Sequence, residues 1–130
     1  MMLRIALTDQ IPSGKNAMGI TRTGRHYAKP RFASWRSVAS YEIMQQKMRL
    51  KWQQQFTLPL TGDLVVTISY REIEKVPANG TRDLPGCLDA LWHLLTHCGL
   101  IETDGQIKGV TWVYPWRTEG PCVEMDVRKV

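Results

Sequence analysis

Leu64-Val65-Val66-Thr67-Ile68-Ser69-Tyr70, and then Pro85-Gly86-Cys87-Leu88-Asp89-Ala90-Leu91-Trp92-His93-Leu94-Leu95-Thr96-His97-Cys98, decide the fold class. The first piece is rich in β-branched residues and ends in an aromatic, which predicts a strand. In the second, Leu84, Leu88, Leu91, Leu95 and Cys98 recur at helical spacing. Pro85 suits the first turn of that helix, and Gly99 suits the position just past its end. The residues from Lys75 to Arg82, with Pro77, Asn79 and Gly80, read as an exposed loop between strand and helix. Beyond the helix, Ile107 to Trp116 and Cys122 to Val127 read as two further strands. Thr118-Glu119-Gly120-Pro121 between them has the composition of a hairpin loop.

Upstream, Leu3, Ile5 and Leu7 alternate with Arg4, Ala6 and Thr8, a pattern that predicts a first strand. Ile11-Pro12-Ser13-Gly14-Lys15-Asn16 ends it with turn chemistry. A long basic loop follows to Pro30, in which Thr23-Gly24 can turn a short hairpin flanked by Arg22 and Arg25. A helix is then expected from Arg31 to Gln55. Phe32, Trp35, Ala39 and Ile43 form its apolar stripe, continued by Met44, Met48 and Trp52. The expected order is β-α-β-α-β-β. This is a small α/β domain over residues 1–130, with a mixed sheet packed with two helices.

At 130 residues the chain has room for one domain. Hydrophobic residues are 43% and charged residues 22%, which excludes a disordered acidic tail and a coiled-coil rod. No apolar run approaches the roughly 18 residues of a membrane span. The N-terminus, Met1-Met2-Leu3-Arg4-Ile5, lacks the apolar core of a signal peptide, so a cytoplasmic protein without a membrane partner is expected. Cys87, Cys98 and Cys122 are odd in number and contain no Cys-x-x-Cys pair. They read as small buried hydrophobes rather than as a disulfide or zinc framework.

The net charge is +5, and its distribution carries more information than its size. Between residues 10 and 51 stand nine Lys and Arg residues and a single acid, Glu42; the acids return from Asp63 onward. A basic front of this kind attracts polyanions, and phosphate contacts supply most non-specific nucleic-acid affinity. Lys15, Arg22, Arg25, Lys29 and Arg36 are therefore the candidate DNA-backbone contacts. Asn16 either shapes the turn or touches a phosphate. A basic module that meets an acidic protein partner is the alternative from another class.

In the back half, Asp83 opens the second helix, where a carboxylate also complements the helix dipole. Asp89 lies on that helix opposite the leucines. Glu102 and Asp104 follow the helix and project to one side if the chain there is extended. A fourteen-residue helix is about 21 Å long, so these acids meet only if the connecting loops bend inward. If they do, the oxygen-rich set suits Mg2+ or Mn2+ rather than zinc, and metal-assisted phosphodiester hydrolysis is the chemistry it points to. Asp89, His93 and His97 also share a helix face, and two histidines four apart can bind zinc. The glutamate that a zinc protease needs is missing.

Taken in order, Ile11-Pro12-Ser13-Gly14-Lys15-Asn16, Arg22-Thr23-Gly24-Arg25-His26-Tyr27, Phe32 with Trp35, Arg82-Asp83-Leu84, Asp89-Ala90-Leu91 and Asp104-Gly105-Gln106-Ile107 resemble the RusA-like Holliday junction resolvases. That resemblance spans most of the chain. It implies a RusA-like fold and a homodimeric, Mg2+-dependent endodeoxyribonuclease that resolves branched, four-way DNA by paired nicks in recombination and repair. It implies catalytic and metal-binding roles for Asp83 and Asp104. The family's first acidic motif normally carries a second aspartate and an asparagine, and here Pro85 and Gly86 stand in their place. Asp89 stands where the family has a lysine, and Thr103 replaces an acid beside Asp104. Two readings follow. Either Asp89 restores a three-acid site with Asp83 and Asp104, helped by Glu102, or the site has decayed and the protein is a catalytically silent DNA-binding protein of the same fold.

Overall fold

A computed structural model describes residues 2–12, 18–20, 22–28, 30–71, 84–113 and 119–130. The elements are β1 (Met2–Leu7), β2 (Met18–Ile20), β3 (His26–Ala28), α1 (Pro30–Arg49), α2 (Trp52–Gln55), β4 (Leu64–Tyr70), α3 (Leu84–His97), a 3-10 turn (Asp104–Gln106), β5 (Ile107–Val113) and β6 (Val123–Lys129). The α/β class and the mixed sheet agree with the sequence reading. The order differs: a β2–β3 hairpin follows β1, a third, single-turn helix follows α1, and the last two strands, β5 and β6, are not hairpin partners because β4 lies between them.

Four strands form one sheet in the order β1-β6-β4-β5. β6 runs antiparallel to both β1 and β4, while β4 and β5 are parallel. A parallel neighbour cannot be reached by a tight turn, so the chain must cross over between β4 and β5, and α3 lies in that crossover. The strands bury alternate residues: Leu64, Val66, Ile68 and Tyr70 on β4, Val123, Met125 and Val127 on β6, and Leu3, Ile5 and Leu7 on β1. These form one core with Phe32, Trp35, Ala39 and Ile43 of α1 and with Cys87, Ala90, Leu91, Leu94 and Leu95 of α3. The helices therefore cover one face of the sheet. The three cysteines are thiols outside any disulfide, with Cys87 and Cys122 buried.

α1 stops short of the expected helix. Lys51 adopts φ 54° and ψ 48°, the left-handed conformation, and the chain restarts as α2. The break lets Trp52, out of phase with the buried side of α1, turn into the core, whereas Met44 and Met48 precede the break and lie on the outer side of α1. Trp52 is buried, but Met44 and Met48 are 50% and 72% exposed, so the expected continuation of the core through these methionines is not observed. At the other end of the molecule Gly99 behaves as expected. It has φ 71°, its N–H donates to the Thr96 carbonyl, and the Leu100 N–H donates to the Leu95 carbonyl. This pair of bonds closes α3 in a Schellman arrangement. Gly24, at φ 83°, lies in the turn between β2 and β3, the hairpin read from Thr23-Gly24.

β1 is an edge strand, and α1 packs against it. The Ala6 N–H donates to Gln46 Oε1 at 2.9 Å, and Gln46 Nε2 donates back to the Ala6 carbonyl at 2.7 Å. Glu42 accepts from the backbone N–H and the hydroxyl of Thr8. Two α1 side chains thus take the place of a neighbouring strand, which removes a template for edge-to-edge association.

Candidate functional site

The acidic residues of the back half are brought together by the way the chain leaves α3. After Gly99, the Leu60 N–H donates to the Leu100 carbonyl at 2.8 Å, and Leu60 and Ile101 form a parallel bridge. The segment that follows α3 is thereby fastened to the segment that precedes β4. Residues 102–106 then pack back against α3 instead of running straight into β5.

Gln106 fixes the shape of this turn. Its Oε1 accepts from the backbone N–H groups of Glu102 and Thr103 at 2.7 and 3.1 Å. Its Nε2 donates to the carbonyls of Leu60 and Gly62, both at 2.9 Å. All four hydrogen-bonding positions of the amide are used, two toward the turn and two toward the chain before β4. Thr103 caps the 3-10 turn, its hydroxyl accepting from the Gly105 N–H at 3.0 Å. Asp104 is the first residue of that turn, so it is not part of an extended segment with Glu102 as the sequence suggested.

The result is an open cleft of about 380 Å3 between the middle of α3 and the turn. Asp89, Glu102 and Asp104 all line it, together with His93, Thr96 and Trp92. The three acids are exposed, and among the described residues none has a hydrogen-bond or ion-pair partner for its carboxylate. Nor is any group of three His, Cys, Asp or Glu side chains there set closely enough to hold a metal ion. Asp83, the fourth acid of the expected set, lies outside the described residues.

One wall of the cleft carries a basic link to α1. Arg36 Nη1 lies 3.0 Å from His93 Nε2. Since guanidinium can only donate, that ring nitrogen accepts, and it is not free to take a zinc ion. The His93 ring stacks on His97 at 6.0 Å and 12°, and meets Phe32 edge-on at 5.2 Å. Partial burial holds the His93 pKa below its ordinary value, helped by the positive charge of Arg36 and by His97.

Of the remaining basic candidates, Arg22 and Arg25 are exposed at the β2–β3 turn. Lys15, Asn16 and Lys29 lie outside the described residues. Arg36 is half-buried and reaches toward the acidic cleft, a placement that charge counting along the chain could not give. No protein-family model matches the chain, and no curated protein matches it in sequence.

Proposed function

We propose that this chain is a metal-dependent, structure-specific endodeoxyribonuclease that resolves four-way DNA junctions and works as a homodimer. The observation that carries the reading is the cleft lined by Asp89, Glu102 and Asp104, whose carboxylates have no partner among the described residues, with His93 of its lining bonded to Arg36. Unpartnered carboxylates repel one another, and a hard divalent cation is the usual remedy for an all-oxygen donor set. The donor chemistry fits Mg2+ or Mn2+, with Asp89, Asp104 and Glu102 as ligands and Asp83, one residue ahead of α3 in the sequence, as the fourth. A cation held there supplies Lewis-acid polarisation of a phosphate oxygen and a more acidic bound water. The protein's own part is to hold the carboxylates in place through Gln106 and to bring the DNA backbone to them. Arg22, Arg25, Lys15, Lys29 and Arg36 supply the backbone contacts, with Asn16 beside Lys15 in sequence as a further candidate.

The spacing of the described acids favours one second reading. Among the described residues they share a cleft without forming a group of three close enough for one ion, and a protein that binds branched DNA without cutting it is the reading that follows if Asp83 does not complete the set. A labelled four-way junction incubated with and without Mg2+ separates the two. Nicking that requires the cation supports the nuclease, and binding without nicking supports the silent binder. No binding leaves a basic protein-interaction module. In the nuclease, Asp104→Asn should abolish nicking and leave junction affinity equal or higher, because it removes a negative charge beside phosphates. A change within a few-fold would overturn the metal role of Asp104.

Two coordinated nicks in a nearly two-fold symmetric junction call for two sites related by that symmetry. For the dimer surface we assign the exposed stripe of α1, Val38, Tyr41, Met44 and Met48. Two of the large aromatics are not free for a partner: Trp52 is buried, and Trp112 packs on Tyr70 within the chain. Sedimentation at micromolar concentration should show a species of twice 14.9 kDa, and Met44→Asp should convert it to the monomer. A wild-type monomer would sink the dimer.

A further inference from the structure

We infer that Arg36 is the phosphate-contacting cation of the acidic cleft, and that His93 is the positioning residue that holds it there. This rests on the nuclease or DNA-binding reading of that cleft. The need for such a cation is electrostatic: a DNA phosphate entering beside Asp89, Glu102 and Asp104 meets three negative charges. Arg36 comes from a different helix, and its guanidinium bonds His93, which lines the cleft.

The manner of holding is informative. A carboxylate partner would neutralise the arginine and occupy two of its five donors. Here, among the described residues, Arg36 has no ion pair, although three carboxylates line the adjoining cleft. Its recorded partners are the ring nitrogen of His93 and the face of Phe32, 6.0 Å from the guanidinium carbon. A neutral acceptor takes one donor and leaves the charge intact, while the phenyl ring limits the swing of the side chain. His93 is in turn fixed between Phe32 and His97. Among the described residues the guanidinium is oriented, still charged and bonded only to His93, which is the state that bidentate phosphate recognition requires.

The test uses the full chain and a labelled four-way junction without metal, so that affinity is read apart from cleavage. Binding is measured across a salt series. Arg36→Gln should weaken binding several-fold and flatten the salt slope by about one unit, the mark of one lost phosphate contact. His93→Leu should give the same loss of slope with Arg36 still present. His93→Gln, whose amide oxygen can accept from the guanidinium, should restore most of it. A merely structural role for His93 would lower thermal stability and leave the slope alone. If wild type binds the junction and Arg36→Gln keeps its slope, the inference fails while the DNA-binding reading stands. An unchanged slope in His93→Leu removes the positioning role. If wild type binds no DNA at all, the reading of the cleft fails and this inference falls with it.

Discussion

Two glutamines in this protein do the same chemistry in different settings. Gln46 is 8% exposed and joins α1 to the edge strand β1 by bonding both backbone groups of Ala6. Gln106 is half-exposed and joins the acidic turn to the chain before β4. Each amide accepts at its oxygen and donates twice from its nitrogen, and each spans forty or more residues of sequence. The difference lies in what water can replace. Around Gln46, the loss of the amide leaves polar backbone groups poorly hydrated, so the bond serves stability. Around Gln106, water can satisfy much of the turn, so the bond serves geometry.

Substitution is the direct way to break this comparison. Gln46→Leu should have the largest effect on stability, about 2–4 kcal/mol, because it strands the Ala6 N–H and carbonyl. Urea unfolding measures it, and a loss under about 0.5 kcal/mol would show that water reaches the β1 edge. Gln106→Ala should cost less in stability, about 1–2 kcal/mol, yet lower Mg2+-dependent nicking by more than about tenfold by releasing Asp104. If both readouts fall in proportion, the two glutamines play one role and the contrast fails. Lys51→Gly sharpens the α1 side: the left-handed residue between α1 and α2 should prefer glycine, with a gain of up to about 1 kcal/mol in the same unfolding assay.

The smallest expected effect is in pH. The pKa of His93 is lowered in the folded state, so the unfolded chain binds its proton more readily. Stability present above the ordinary histidine pKa of about 6.5 should therefore decline as the pH falls through that value toward the folded one. Arg36 and His97 face the ring and act in the same direction. Unfolding midpoints compared at about pH 7.5 and 5.5 should show the decline in wild type and a flatter profile in His93→Gln.

Local signals made much of the fold legible. The β-branched run at 64–70, the leucine stripe of α3, Gly99 at its end and Gly24 in the hairpin each report on a few neighbouring residues. The failures have a common cause. Met44 and Met48 are apolar, but at 3.6 residues per turn they lie on roughly the opposite side of α1 from Phe32, Trp35, Ala39 and Ile43, so their apolar character misled where strict helical phase would not have. Lys51 breaks the helix without a glycine or proline to announce it. Gln46, Gln106 and the Arg36–His93 bond have partners 40 to 57 residues away, and no periodicity encodes such pairs. The acids were legible as residue types and as a spacing. Their shared cleft depends on the turn after α3 bending back, which is a property of those distant bonds.

The tether at Gln106 has a kinetic consequence. The amides of Glu102 and Thr103 lie in an exposed turn, where hydrogen exchange with solvent is ordinarily fast. Both donate to a side chain whose other end is anchored to residues 60 and 62, on the far side of β4 and α3 in sequence. The two amides cannot open freely unless that anchor releases or the turn leaves it. Their exchange rates therefore report on the β4–α3–β5 unit as a cooperative whole and not on the local mobility of a surface loop. A slow amide at an exposed acidic turn would be the signature of a site whose shape is stored in the crossover that leads to it.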